Sequence, residues 1–352
     1  YMAGADLRRA KARRHHYRKR KNRQRSRMKT IIYRTTRVAC VSCALLAIAC
    51  SLGSPTVASA KDPPKETAHG SGISFLGNLS DSSISEASGI AASRRRTDVL
   101  WVINDGGNGP LIYAVGLDGS DYGHVSIGNA RNQDWEDLAA FVYNQTAFLL
   151  IADCGDNENR RKSCVLYMIE EPRVGPAGIV EKAPLELSRR IEYVYADGPR
   201  DCEGVAVDVQ HREILLLTKR TEPPVLYSLP LSLTQSDKVQ TARPVTRVGG
   251  IPKLTAEELR EDPLLGRFRS QPTAMDISPD GKIIAVLTYK QPYLFYRQKN
   301  ESWPRVFARP PIALDMPWMR QAEAMCFSTD GTKLFLTSEK LPAPLYRLDI
   351  KP

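Results

Sequence analysis

Two columns of polar side chains recur at the start of five short strand-like segments, and their carboxylates are the groups best suited to chemistry. The segments, called repeats one to five, are 86–93 (EASGIAAS), 134–141 (DWEDLAAF), 201–208 (DCEGVAVD), 271–278 (QPTAMDIS) and 321–328 (QAEAMCFS). Their first polar position holds Glu86, Asp134, Asp201, Gln271 and Gln321, and the second holds Ser88, Glu136, Glu203, Thr273 and Glu323. Because residues two apart in a strand face the same side, both columns are expected to converge on one opening.

The acidic members of these columns predict a divalent-cation site. Gathered around one opening, they would repel each other and raise their own pKa values unless a cation or basic partners offset the charge. Calcium takes six to eight oxygen ligands, so Ca²⁺ is the expected cofactor. The alternative is that the columns only hydrogen-bond neighbouring backbone, an interpretation that fits Ser88 and Thr273 best. The expected metal ligands are Glu86, Asp134, Glu136, Asp201, Glu203 and Glu323.

Further polar residues follow the second strand of each repeat. The end of a second strand lies beside the start of an antiparallel first strand, so these residues are expected at the same opening. Their mixture of charges predicts a small polyhydroxylated or phosphorylated ligand, with or without a metal. The turn 153–157 lacks the EF-hand spacing and is typical of a hairpin. The expected ligand-binding residues are Asp105, Asp153, Asp156, Asn157, Lys219, Arg220, Lys290 and Lys340.

The positions of the five histidines argue against two common kinds of active site. His15 and His16 precede the repeats by a long way, His69 comes just before them, and His124 and His211 fall on an outer strand and in a turn. A histidine-dependent triad or a histidine-ligated zinc at the opening is therefore not expected. Hydrolysis there would need a carboxylate base or a metal-activated water, and the sequence assigns no catalytic residue.

The elements that must position these groups are short strands in a regular order. Each repeat continues with a polar turn, an apolar second strand and a third strand that often carries an aromatic residue. Two of the turns, 278–281 (SPDG) and 328–331 (STDG), contain the Asp-Gly pair of tight hairpins. The exception is Thr255–Arg269, for which the pattern predicts a helical or irregular insertion.

Five such repeats predict an all-β fold, a β-propeller of five blades with four antiparallel strands each. Only residues 324–352 follow Glu323, which is enough for the remaining two strands of the last repeat but not for a fourth. The segment Gly72–Leu79 is expected to supply that strand and to close the ring without a free sheet edge. An open β-sandwich is the alternative, but it does not account for five copies of the motif.

The motifs also carry a family resemblance. E-x-S-G-I from Glu86, D-x-E-x-L from Asp134, D-x-E-G-V from Asp201 and Q-x-E-A-M from Gln321 resemble the SdiA-regulated β-propellers, with weaker similarity to phytase-like and lactonase-like propellers. The resemblance covers residues 72–352 and implies five blades. It implies no particular chemistry, because propellers host many functions. Thr273 departs from the pattern, so a complete ring of carboxylates is not implied.

The positive charge of the chain belongs to its N-terminal part. Residues 1–37 hold 15 of the 50 Lys and Arg residues and one of the 39 Asp and Glu residues, so the remainder carries 35 basic and 38 acidic residues. That balance argues against nucleic-acid binding by the repeats. Residues 1–27 are interpreted as a non-native or disordered basic extension, 28–60 as a signal peptide ending in Ala58-Ser59-Ala60, 61–71 as a linker, and 72–352 as the propeller domain.

The signal peptide predicts a periplasmic or extracellular protein with no membrane span after cleavage, and a lipoprotein anchored at Cys50 is the second interpretation. Four cysteines then remain. In an oxidising compartment Cys154 and Cys164 are expected to bridge the hairpin between them, the alternative being four buried thiols.

The sequence thus predicts an exported, monomeric propeller whose acidic mouth binds a divalent cation and a small polar molecule or a protein ligand. A metal-dependent hydrolase of the phosphoester or lactone type, with Glu136, Glu203 or Asp201 as ligand or base, is one alternative. A protein-interaction scaffold is another. Whether the protein is an enzyme stays open at this point.

Overall fold

A computed structural model describes residues 72–181, 184–234, 236–261 and 266–350. The expected basic extension (1–27), signal peptide (28–60), Cys50 anchor and linker (61–71) lie outside these residues. Within them the chain is nearly all β. None of the helices in this part of the chain is both long and apolar enough to cross a bilayer.

The strands in chain order are short. The first eleven are β1 (Ile73–Asn78), β2 (Ala87–Ala92), β3 (Val99–Asn104), β4 (Leu111–Gly116), β5 (Asp121–Ser126), β6 (Trp135–Tyr143), β7 (Thr146–Asp153), β8 (Cys164–Glu170), β9 (Val174–Gly175), β10 (Gly178–Ile179) and β11 (Arg189–Tyr195). The others are β12 (Cys202–Asp208), β13 (Glu213–Thr218), β14 (Val225–Pro230), β15 (Gln240–Arg247), β16 (Pro272–Ile277), β17 (Ile283–Thr288), β18 (Pro292–Tyr296), β19 (Ile312–Ala313), β20 (Ala322–Phe327), β21 (Lys333–Ser338) and β22 (Pro344–Asp349).

Three of the five repeats form separate four-stranded antiparallel sheets, in the orders β2-β3-β4-β5, β16-β17-β18-β19 and β1-β22-β21-β20. The last sheet confirms that the segment before repeat one supplies the outer strand of repeat five, since β1 pairs antiparallel with β22. Repeats two and three share one eight-stranded sheet, because their outer strands β11 and β15 pair in parallel.

The first strands of the five repeats pack on one another in a cyclic order. β2 packs against β6 and β20, β12 packs against β6 and β16, and β16 also packs against β20. Five buried hydrophobic clusters lie between successive repeats and include almost every apolar side chain of the second strands. Strands buried on both faces explain why these segments read as continuous apolar runs.

The predicted turns and insertion are present. Gly281 and Gly331 have φ values of 72° and 71°, the left-handed conformation that the Asp-Gly turns require. The insertion contains helix α1 (Ala256–Glu261) and a 3₁₀ turn (Gly266–Phe268). Thr255 and Glu258 form a capping box at the start of α1, each side chain accepting the other's backbone N–H. A second helix, α2 (Trp303–Phe307), follows β18.

Candidate functional site

A β-bulge lies at the same place in all five first strands, and it orients the second polar column. The strand register shifts between Trp135 and Asp137 in β6 and between Cys202 and Gly204 in β12, with equivalent shifts in β2, β16 and β20. The residue inside each bulge is the second-column residue, for example Glu136 or Glu203. Bulges commonly redirect a side chain beside a functional site, and here the same device is used five times.

The three glutamates of this column line one cleft of about 720 Å³, together with Asp105. Glu136, Glu203 and Glu323 are buried, with exposed fractions of 5%, 3% and 6%. The convergence expected from the sequence is therefore present for these residues. The volume lies in the range of pockets that take small ligands.

On one side of the cleft the carboxylates have basic or hydroxyl partners. Lys219 Nζ lies 2.9 Å from Glu203 Oε2, and Arg220 Nε lies 2.5 Å from Asp201 Oδ2. Tyr289 donates its hydroxyl hydrogen to Glu323 Oε1, and its ring lies 5.2 Å from Lys219 Nζ. We call these six residues the paired side.

Burial and charge act against each other on the paired side. Burial raises the pKa of Glu203 to about 7, although the Lys219 ammonium opposes this shift. Burial lowers the pKa of Lys219, but the charges of Glu203 and its neighbours outweigh that effect and the net shift is upward. The pKa of Glu323 is held well above its usual range, chiefly by burial. Glu203 thus titrates near neutral pH while its lysine partner stays charged.

On the other side, Asp105, Asp134 and Glu136 form a group that we call the acidic cluster. Each contributes one carboxylate oxygen to a set whose members lie within 4.8 Å of one another. Among the described residues none of the three forms an ion pair. Glu136 has no hydrogen-bond partner there either, although it is 95% buried. Three carboxylates held close together in a largely buried place repel one another, so this arrangement favours a bound cation.

The pKa values of the acidic cluster are all shifted upward. Burial raises the pKa of Asp105 to about 6, and the Asp134 carboxylate adds to this shift. Burial, and then the Glu203 and Asp105 charges, hold the pKa of Glu136 well above its usual range. Burial also raises the pKa of Asp134. A divalent cation would reverse these shifts, because it favours the ionised carboxylates.

Two glycines leave room for the acidic cluster. A Cβ atom at Gly155 would lie 2.0 Å from Glu136 Oε1 and 2.6 Å from Asp134 Oδ2. A Cβ atom at Gly106 would lie 2.4 Å from Asp134 Oδ1 and 2.8 Å from the backbone oxygen of Gln133. Neither position has the positive φ that would by itself demand glycine. The requirement is therefore steric: it comes from two carboxylates at Gly155, and from the Asp134 carboxylate and nearby backbone at Gly106.

Equivalent positions at the ends of the second strands explain why the paired side has basic partners and the acidic cluster does not. The residue after the second strand is equivalent in all repeats, since the backbone N–H of Asp105, Lys219 and Glu339 donates to the carbonyl of the first-column residue of its own repeat. This position and the next are occupied in chain order by Asp105-Gly106, Cys154-Gly155, Lys219-Arg220, Tyr289-Lys290 and Glu339-Lys340. Repeats one and two carry glycine where the other three carry a basic residue.

The remaining expected ligand-binding residues divide into two groups. Asn157, Lys219, Arg220 and Lys290 line the cleft, and Lys290 is also paired with Glu258 at 2.5 Å. The expectation for Asp153, Asp156 and Lys340 differs from the structure, because these three do not contribute to the lining. Asp153 pairs with Arg161 at 2.8 Å, and Asp156 accepts the backbone N–H groups of Arg160 and Arg161. Lys340 pairs with Glu339 and, at 3.6 Å, with Glu86.

The disulfide expected between Cys154 and Cys164 is not formed in the structure, where both are buried free thiols. Cys154 Sγ instead donates to the carbonyl oxygen of Cys202 at 3.2 Å. Cys154, Cys164 and Cys202 all lie in the hydrophobic cluster between repeats two and three. Cys202 and Cys326 are buried thiols too.

Ser88 and Thr273, the two short side chains of the second column, form hydrogen bonds that hold neighbouring repeats in register. Ser88 donates to the carbonyl oxygen of Trp135 at 2.9 Å, and Thr273 donates to that of Ala322 at 2.8 Å. Both bonds cross to the next repeat, which confirms the interpretation made for these two residues.

Two buried carboxylates that the sequence analysis did not select, Asp137 and Asp276, also hold repeats together through hydrogen bonds to backbone N–H groups. Asp137 accepts the backbone N–H groups of Val205 and Met275, in two other repeats. Asp276 accepts that of Phe327 at 2.8 Å. Each also accepts the backbone N–H of the residue that follows it. They lie in apolar-looking strands, and only the tertiary contacts reveal them.

Several cleft residues were also missed by the sequence analysis. Tyr289 and Glu339 occupy the position equivalent to Lys219, so aligning the ends of the second strands would have found them. Arg269, Trp318 and Arg320 also line the cleft but belong to connecting segments outside the repeat. No periodic signal points to them.

Comparison with known proteins adds nothing to the assignment of the site. No protein-family model matches the sequence, and no curated protein matches it at a significant level. The site must therefore be interpreted from its own geometry.

Proposed function

We propose that this protein binds a divalent cation, Ca²⁺ by preference, in the acidic cluster of Asp105, Asp134 and Glu136, and a small polar ligand in the adjoining cleft. The observation that carries the proposal is Glu136, a carboxylate 95% buried that has no hydrogen bond or ion pair among the described residues. Three carboxylates and no nitrogen or sulfur donor form a ligand set suited to a hard cation. Water and ligand oxygens would complete the coordination.

The proposal extends to the fold and the family. The cyclic packing of five first strands and the hydrophobic clusters between successive repeats support a five-bladed propeller closed by β1. The motif resemblance to the SdiA-regulated propellers supports the same architecture. A channel mouth at one end of the first strands then explains why the acidic cluster and the cleft lie together. Export to the periplasm or the outside remains a prediction from the leader.

Thermal melting of the full chain with and without Ca²⁺ tests the cation site. Saturating Ca²⁺ is expected to raise the Tm by about 5 °C, since a ligand at 100 times its Kd stabilises by about 2.7 kcal/mol. Glu136→Gln should abolish this response. Glu170→Gln is the matched control, because Glu170 is a surface carboxylate whose one ion pair within the described residues is with Arg95. An identical melting curve in Ca²⁺, Mg²⁺ and chelator would overturn the proposal.

A metal-dependent hydrolase is the second candidate, favoured by one observation. Two carboxyl groups in the cleft, Glu203 and Asp105, have pKa values raised to about 7 and about 6. Groups that titrate near neutral pH are suited to general acid–base catalysis. A panel of phosphoesters and lactones would be assayed with the wild type and with Glu203→Gln. Turnover that survives the substitution undiminished would remove Glu203 from any such chemistry.

A further inference from the structure

The segments that precede repeats four and five bring two arginines without ion-pair partners into the cleft. Arg269 follows the 3₁₀ turn and Arg320 precedes β20, and both line the cleft. Neither guanidinium forms a hydrogen bond or an ion pair with any described residue, whereas Arg220 in the same cleft is paired with Asp201. Guanidinium groups bind carboxylate and phosphate through paired hydrogen bonds. The two arginines therefore favour an anionic group on the ligand.

The cleft lining also contains an exposed tryptophan. Trp318 is 86% exposed, while Trp101, Trp135 and Trp303 are 0%, 0% and 3% exposed. Met316, Pro317 and Phe268 line the same cleft. A large aromatic side chain exposed at a cleft marks a binding surface for a flat or apolar face.

Gln271 is a further residue of the cleft, and its side chain has an unpaired hydrogen-bond acceptor. The side-chain oxygen Oε1 of Gln271 is buried and has no hydrogen-bond partner in the structure. Gln271 lines the same cleft as Arg269 and Trp318. An unpaired buried acceptor is costly, and a rotation of the half-buried Gln271 side chain would bring this oxygen to a ligand hydroxyl in the cleft. Glu203, Glu323 and Asn157 add further acceptors to the lining.

We propose that the cleft binds an acidic sugar, a pyranose ring that carries a carboxylate or a phosphate. Its anionic group would bind Arg269 and Arg320, one ring face would pack on Trp318, and a hydroxyl would donate to Gln271 Oε1. A neutral sugar leaves the arginines unused, and a planar aromatic acid leaves Gln271 unpaired. This inference rests on the proposed function, since it names the ligand class for the same cleft.

Tryptophan fluorescence of the full chain gives a direct test, because Trp318 is the exposed member of the four tryptophans. Digalacturonate, glucose 6-phosphate, maltose, benzoate and inorganic phosphate would be titrated separately in the presence of Ca²⁺. At least one of the two acidic sugars is expected to bind, to shift the emission and to reduce quenching by neutral acrylamide at least twofold. The two acidic sugars distinguish a carboxylate from a phosphate as the anionic group.

Variants assign the contacts, with isothermal titration calorimetry as the readout that does not depend on Trp318. The double variant Arg269→Gln/Arg320→Gln should weaken the acidic sugar at least tenfold, and Trp318→Ala at least fivefold. Arg305→Gln is the matched control, an exposed arginine on α2 outside the cleft lining, and should leave the affinity unchanged. Arg269 is half-buried and the other substituted positions are exposed, and melting curves verify that the proteins are folded.

The outcomes separate this inference from the cation proposal. If maltose, benzoate or inorganic phosphate binds as tightly as the acidic sugars, or if neither acidic sugar binds, the ligand class is wrong. A Ca²⁺-dependent rise in Tm in that same protein would leave the cation site standing. Binding of an acidic sugar that is unchanged in chelator, with no thermal response to Ca²⁺, would support the ligand class and overturn the cation site.

Discussion

The acidic cluster and the paired side begin from nearly the same sequence and reach opposite electrostatic states. Repeat two opens with Asp134-Trp135-Glu136 and repeat three with Asp201-Cys202-Glu203. Glu203 has a lysine 2.9 Å away, whereas Glu136 has no partner among the described residues. The D-x-E motif alone therefore does not define what the carboxylates do.

The difference originates at the end of the second strand. Repeat three has Lys219-Arg220 where repeat two has Cys154-Gly155, and repeat one has Asp105-Gly106. Basic residues neutralise the carboxylates in one case. In the others a glycine removes the side chain that would neutralise them, and the space is occupied by carboxylate oxygens. The cleft thus contains a paired side, whose carboxylates have basic or hydroxyl partners, and an acidic cluster, for which we propose a bound cation.

The largest expected effect on stability comes from replacing a glutamate by glutamine on the paired side, compared with the same change in the acidic cluster. Glu203→Gln leaves the buried Lys219 without its carboxylate and should lower the free energy of unfolding by about 3 kcal/mol. Glu136→Gln relieves repulsion and should raise it by about 1 kcal/mol in chelator. Urea unfolding at pH 8 measures both values. If the free energy of unfolding changed with the same sign in both variants, the proposed difference between the paired side and the acidic cluster would be wrong.

The pH dependence of stability sharpens the comparison. Burial raises the pKa of Asp105 from 3.8 to about 6, so the folded state binds this proton more tightly than the unfolded state. Its contribution to stability is accordingly lost as pH rises from about 4 to about 6. Asp105→Asn should therefore gain stability relative to wild type over that window, by about 2 kcal/mol in chelator. Urea unfolding at pH 4 and pH 7 measures the gain, and equal differences at both pH values would contradict it.

A substitution at Gly155 tests the close approach of this glycine to the acidic cluster. Gly155→Ala places a Cβ atom against Glu136 Oε1 and should weaken Ca²⁺ binding about tenfold, or 1.4 kcal/mol. Gly249→Ala is the control, because a Cβ atom there meets no other atom within 4 Å. Calorimetric titration with Ca²⁺ compares the two. Equal affinity in both variants would show that the glycine does not serve the site.

The smallest expected effect concerns the second-column residues that hold register. Ser88→Ala removes the hydrogen bond to the Trp135 carbonyl and should cost about 1 kcal/mol of stability. Thr273→Val should behave similarly through Ala322. Neither should alter the thermal response to Ca²⁺. A lost Ca²⁺ response in either variant would extend the cation site beyond the acidic cluster.

The sequence predicted those features of the fold and the site that depend on the repeated strand motif. Five copies of the strand motif predicted the all-β architecture, the Asp-Gly turns and the pairing of β1 with β22. The same repetition placed Glu136, Glu203 and Glu323 together, because equivalent positions in equivalent strands meet at one end. Periodicity carries this information without any knowledge of the contacts between repeats.

Other features depend on contacts that no local pattern encodes. The sequence did not distinguish Glu136 from Glu203, nor foresee that Cys154 Sγ would donate to the carbonyl oxygen of Cys202. Asp137 looked like part of an ordinary strand, yet it joins three repeats through backbone amides. Trp318 and Arg320 belong to the segment between β19 and β20, and only the tertiary structure shows that this segment reaches the cleft. Secondary structure follows from short-range alternation of side chains, whereas charge pairing and burial depend on which distant residues the fold brings within a few ångströms.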